Sequence, residues 1–157
     1  MSKNDLQKAF EFSETSKARS LLDVVKADKP IAELEKEFSA VAKPLTLEEI
    51  KARMPENVQI VEYASLDNKL AIWVIGKDKF EYSEKQISAA ELEKKAVEFR
   101  KAILARKTKE NLSEMSRELY EILLPKNLDS NKTICLIPDK SLNLIPFAAL
   151  VSENGKY

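Results

Sequence analysis

Apolar residues in the first stretch of the chain fall at helical spacing, with Ala18, Leu21, Leu22 and Val25 on one face. This pattern predicts a helix over Asp5–Ala27 that Pro30 ends. The period returns in Ile31, Leu34, Phe38 and Val41 and stops at Pro44. Thr46 and Glu49 then have the spacing of a capping box, in which a threonine hydroxyl and a glutamate side chain each satisfy the other's free backbone N–H, so a short third helix should run up to Pro55. After Pro55 the pattern changes. Val58–Tyr63 and Lys69–Ile75, separated by the turn-like Leu66-Asp67-Asn68, predict an antiparallel hairpin, and Gly76-Lys77-Asp78 turns the chain into a further strand over Phe80–Ser83. Lys69–Ile75 is apolar on both faces, with Leu70, Ile72 and Val74 on one and Ala71, Trp73 and Ile75 on the other, which suits a central strand.

Ser88 and Glu91 repeat the capping-box spacing and open a helix to about Arg106, whose stripe is Leu92, Ala96, Phe99 and Ile103. Leu112, Met115, Leu119 and Ile122 mark another helix, ended by Pro125. The run Thr133-Ile134-Cys135-Leu136-Ile137 reads as a wholly buried strand closed by Pro138 and Asp139. These elements make an α/β (α+β) chain: a leading helical region over residues 1–45, then a mixed sheet with an antiparallel hairpin and packed helices over residues 46–157. No internal repeat is visible.

Composition narrows the function more by what is missing than by what is present. The chain has 157 residues and no histidine, which removes the commonest neutral-pH general base and the commonest nitrogen ligand for a metal. Gly76 and Gly155 are its only glycines, too few for a phosphate-binding or dinucleotide-binding loop. Lys plus Arg equals Asp plus Glu at 26 each, so no net positive field attracts a nucleic acid or an anionic membrane. No apolar run approaches the ~20 residues of a transmembrane helix. The single cysteine, Cys135, forms no intramolecular disulfide, and Met1–Asp5 has no secretory pattern, so a cytoplasmic protein is expected.

Candidate chemistry is sparse. Cys135 reads as a core cysteine, shielded by its apolar neighbours and without a base to deprotonate it. Asp139 follows a strand, where α/β sheets often present functional groups, but its neighbours fit a turn-forming aspartate better. Pairing Asp139 with Ser141 for hydrolysis, or a serine with a lysine, lacks the supporting base or apolar cleft. Trp73 and Tyr63, read as paired aromatics on neighbouring strands, suit cross-strand packing better than a ligand pocket. The acidic residues of Glu33-Glu35-Glu37 and Glu91-Glu93 alternate with lysines and read as solvated helix faces. No catalytic residue, cofactor or metal is therefore assigned.

Three segments, in order, resemble one family. Ser16-Lys-Ala-Arg-Ser-Leu-Leu-Asp23 resembles the last helix of a tetratricopeptide array leading into a CHAT domain. Met54-Pro-Glu-Asn-Val-Gln-Ile-Val-Glu-Tyr63 with Leu70-Ala-Ile-Trp-Val-Ile75 is similar to that domain's opening hairpin. Leu136-Ile-Pro-Asp-Lys-Ser-Leu-Asn-Leu-Ile-Pro-Phe-Ala-Ala-Leu150 carries the most specific match, a strand ending in Pro-Asp followed by a Pro-Phe-Ala-Ala-Leu segment. CHAT domains are similar to caspases and separase, and their active members are cysteine peptidases with a His/Cys dyad. The resemblance implies that both dyad residues come from strands downstream of the matched segments, so that this chain corresponds to the domain's leading part. Asn143 stands where relatives often have histidine and is not taken as a dyad position, and Cys135 precedes the Pro-Asp turn and is not the nucleophile. The implied role is a non-catalytic scaffold for a His/Cys catalytic half. The alternative is a stand-alone protein-interaction adaptor. Partners are expected to be proteins, or a second copy joined through an open sheet edge, because unpaired strand edges tend to associate.

Overall fold

The alternating sequence after Pro55 folds into a four-stranded sheet. β1 is Val58–Ser65, β2 Leu70–Ile75, β3 Phe80–Lys85 and β4 Thr133–Ile137, in the order β3-β2-β1-β4. This computed structural model describes residues 3–27, 44–106 and 108–152, and the chain divides into two units, Met1–Met54 and Pro55–Tyr157.

In the first unit, α1 spans Lys3–Ala27. Its Phe10 is fully buried, an anchor that the predicted stripe of Ala18, Leu21, Leu22 and Val25 did not include. The side chains of the last three lie outside the described residues, as does the helix predicted around Ile31–Val41. α2 is Leu47–Arg53, and its capping box is complete: Thr46 Oγ1 accepts from the Glu49 N–H while a Glu49 carboxylate oxygen accepts from the Thr46 N–H. Within this unit Gln7 Nε2 donates to Glu48 Oε1 at 2.9 Å.

In the second unit, the two hairpins are set by tight turns. The Leu66 N–H donates to the Lys69 carbonyl, and Gly76 and Lys79 exchange two backbone hydrogen bonds. β1 and β2 are antiparallel with Tyr63 opposite Ile72 and Val61 opposite Val74, and β2 and β3 are antiparallel with Trp73 opposite Tyr82. β4 returns parallel to β1, with Val58 opposite Thr133 and Glu62 opposite Ile137. Such a return needs a long crossover, here supplied by α3 (Ala89–Leu104) and α4 (Lys109–Leu123). Ser88 caps α3 through Oγ accepting from the Glu91 N–H.

The main core lies on the sheet face carrying Val61, Tyr63, Leu70 and Ile72, against Leu92, Ala96 and Phe99 of α3, Leu119 and Leu123 of α4, and Leu142, Ile145 and Leu150 beyond β4. All six residues of β2 are buried, as the two-faced apolar pattern required of a central strand. Removing this much apolar surface from water is the dominant favourable contribution to folding, about 25 cal/mol per Å².

Two expectations are corrected. Tyr63 and Trp73 are not a cross-strand pair: they sit on opposite faces of the sheet, because Tyr63 is opposite Ile72 and Trp73 opposite Glu62. Tyr63 instead meets Phe147, with ring centroids 6.0 Å apart, and Trp73 meets Tyr82 at 5.7 Å. Both are buried. The second correction concerns β4. It is not wholly buried; Thr133, Ile134 and Cys135 are exposed, because among the described residues β4 is an edge strand with β1 on one side only.

Candidate functional site

The edge of β4 is the feature of the sheet whose sequence and surroundings disagree. A strand edge that faces water permanently is usually guarded by charges, proline or a covering loop. The opposite edge, β3, follows that rule. Lys69 Nζ and Tyr82 Oη both bond the Glu84 carboxylate at 2.8 Å. The hydrogen bond from Lys69, then that from Tyr82, holds the Glu84 carboxyl below its ordinary range. Lys79 pairs with Glu81 at 3.2 Å and donates to the Asn127 carbonyl at 2.9 Å, and the Asn127 amide donates to Glu81. β4, by contrast, runs Thr-Ile-Cys-Leu-Ile without one charged residue, and Ile134 is 40 % exposed.

Strand geometry assigns each main-chain group of β4 to a side. Thr133 N–H donates to the Asn57 carbonyl at 2.8 Å, so Thr133 points its polar groups at β1. In a strand successive residues alternate, so Cys135 and Ile137 also face β1, whereas Ile134 and Leu136 direct their N–H and C=O groups away from the sheet. At the ends this outward row stops. The Lys132 N–H turns back to the Asp129 carbonyl, and Pro138 has no N–H. The result is a short row of two donors and two central acceptors with no strand beside it among the described residues.

Both ends of β4 are pinned to β1 by side chains. At the start, the buried Gln59 amide donates to the Asp129 carbonyl at 2.8 Å and accepts from the Asp129 N–H at 3.3 Å. At the finish, Asp139 Oδ2 accepts from the Ser65 N–H at 2.8 Å while Lys140 Nζ donates to the Ser65 carbonyl at 2.7 Å. One peptide strand end is thus gripped from both sides, and Asp139 extends the ladder with its side chain. Lys140 takes a positive φ of 48° to reach back. Asp139 therefore serves as a structural fastener beyond the turn role read from the sequence, and Lys140, passed over there, is its partner.

The Pro-Phe-Ala-Ala-Leu segment is fastened by similar means. Ser116 of α4 is buried and bridges two groups, donating to the Ala149 carbonyl and accepting from the Val151 N–H, each at 2.8 Å. Tyr63 Oη donates to the Leu123 carbonyl at 2.9 Å, and burial pushes its phenol well above the ordinary tyrosine range. Asn143 is exposed and donates to the Lys140 carbonyl at 3.0 Å, within its own turn. Ser141 lines a shallow hollow with Ser65, Glu93 and Lys140. No proton-transfer partner is hydrogen-bonded to Ser141 among the described residues, so Asp139 and Ser141 are not joined into a catalytic pair. Sequence reading missed Gln59, Ser65 and Ser116. All three are polar residues on the apolar side of their element's period, Gln59 and Ser65 alternating with the buried Val61 and Tyr63 and Ser116 lying one helical turn before the buried Leu119, and that is the one signal the sequence offers.

Among the described residues no helix is long and apolar enough to cross a membrane. No family model matches the chain, and no match was found among the curated proteins or the solved structures.

Proposed function

We propose that this chain is the leading, non-catalytic portion of a CHAT-type, caspase-like cysteine peptidase of the cytoplasm. Its work is to carry a sheet onto which the strands bearing the His/Cys dyad are added. The observation that carries this reading is β4: an uncharged, apolar strand, pinned at both ends, with Ile134 exposed and its outer main-chain groups open among the described residues. Such a strand has the composition of a sheet interior and the position of an edge, and adding the next strand resolves that conflict. The order of the three family-like segments and the absence of histidine from the whole chain support it further.

In the complete protein the fasteners at Gln59, Asp139 and Lys140 hold β4 in register, so that a catalytic strand docked on it is held in a fixed position relative to the core. Main-chain pairing of this kind transmits position with little freedom, which a two-residue catalytic dyad requires. The gene supplies the direct test. A reading frame that continues past Tyr157 into strands carrying a histidine and a second cysteine is the expected result. A stop codon directly after Tyr157 overturns the scaffold reading in favour of the adaptor. Purified chain should leave peptide libraries uncut, and cleavage that persists in Cys135→Ala would contradict the proposal.

A further inference from the structure

When no further strand is supplied, we propose that the β4 edge is occupied by β4 of a second copy, antiparallel and two-fold symmetric about Cys135. This rests on the same open edge as the scaffold reading but specifies a partner and a register.

Symmetry selects the direction. β4 offers outward main-chain groups at Ile134 and Leu136. Antiparallel pairing lets two copies exchange the same bonds about a two-fold axis, whereas in a parallel ladder each outward residue faces an inward-bonded residue of the partner, a stagger that leaves two identical edges inequivalent. The chain as a whole has a formal net charge of zero, so two copies meet without long-range repulsion.

Backbone groups select the register. With the axis through Cys135, Ile134 of each copy faces Leu136 of the other, and both residues exchange N–H and C=O in full. Four main-chain hydrogen bonds form and no outward group of the two residues is left over. Centring the axis on Ile134 instead sets the Leu136 carbonyl against Lys132, whose N–H is already given to Asp129. Centring it on Leu136 sets the Ile134 carbonyl against Pro138, which has no N–H. The favoured register also forms two Ile134–Leu136 side-chain pairs on one face, covering the exposed Ile134.

A consequence fixes the test. Cys135 faces its own symmetry mate in a non-hydrogen-bonded pair, for which the Cα separation is about 4.5 Å, within the ~4.4–6.8 Å that a disulfide spans. The 157-residue chain should sediment as a concentration-dependent dimer. Diamide, which accepts the two protons and two electrons released by two thiols, should then convert it to a covalent dimer lost in Cys135→Ser. Ile134→Lys sets a charged side chain against Leu136 of the second copy and should weaken dimerisation by tenfold or more. Ser83→Lys on the β3 edge should leave it unchanged. A chain that remains monomeric at high micromolar concentration overturns the inference. So does a dimer that Ile134→Lys does not weaken, or one whose Cys135 thiols resist cross-linking. None of these results touches the scaffold reading, which fails on the gene sequence, and a stop codon after Tyr157 would leave the dimer standing.

Discussion

The residues that hold β4 and the segment after it in place are polar, and at Gln59, Ser65 and Ser116 the groups they satisfy are buried. Removing one partner from a buried hydrogen bond costs about 1–3 kcal/mol. Ser116→Ala strands both the Ala149 carbonyl and the Val151 N–H, and a loss of about 1–3 kcal/mol is expected from urea unfolding. Asp139→Ala should cost a similar ~1.5–3 kcal/mol, because a charged acceptor is lost from the Ser65 N–H, while Asp139→Asn keeps an acceptor and should cost less. Equal losses in the two Asp139 variants would show that the Ser65 contact is not the source. Tyr63 gives a pH signature. Burial raises its phenol in the folded state, so its contribution is complete below about pH 10, where the unfolded tyrosine is also neutral. Above that the unfolded form ionises and the folded form does not, and stability falls as pH rises. Tyr63→Phe should flatten this alkaline decline; an unchanged slope would assign it to other groups, Tyr82 first, whose phenol is also raised by burial.

At the scale of elements, regular patterns were legible and partnership was not. The capping box at Thr46 and Glu49 could be read because it lies within four consecutive residues, and Thr46→Ala should cost about 0.5–2 kcal/mol in thermal unfolding. β2 was legible as a central strand because both its faces are apolar, and α3 because Leu92, Ala96 and Phe99 repeat with the helical period. β4 was misread in its burial for a physical reason. A continuous apolar run records what a strand is suited to touch, and it does not record whether the touching strand is present. The same apolar run suggests a core position for Cys135, which lies exposed. The pairing of Tyr63 with Trp73 failed because register decides which residues share a face, and a shift of one residue moves a side chain to the other side. The fasteners Gln59–Asp129 and Ser65–Asp139–Lys140 join residues 70 to 75 positions apart, a separation over which local pattern carries no information.

For the whole molecule, the two edges of the sheet are unlike. β3 has the charges of a permanent edge and β4 has none. Among the described residues the outer row of β4 stands open. Residue-resolved amide hydrogen exchange, run at a dilution where the chain is monomeric, tests it directly. Ile134 and Leu136 should exchange quickly while Thr133, Cys135 and Ile137, bonded to β1, exchange slowly. Slow exchange at all five positions in the monomer would contradict the claim, because the edge would then already be covered within the chain.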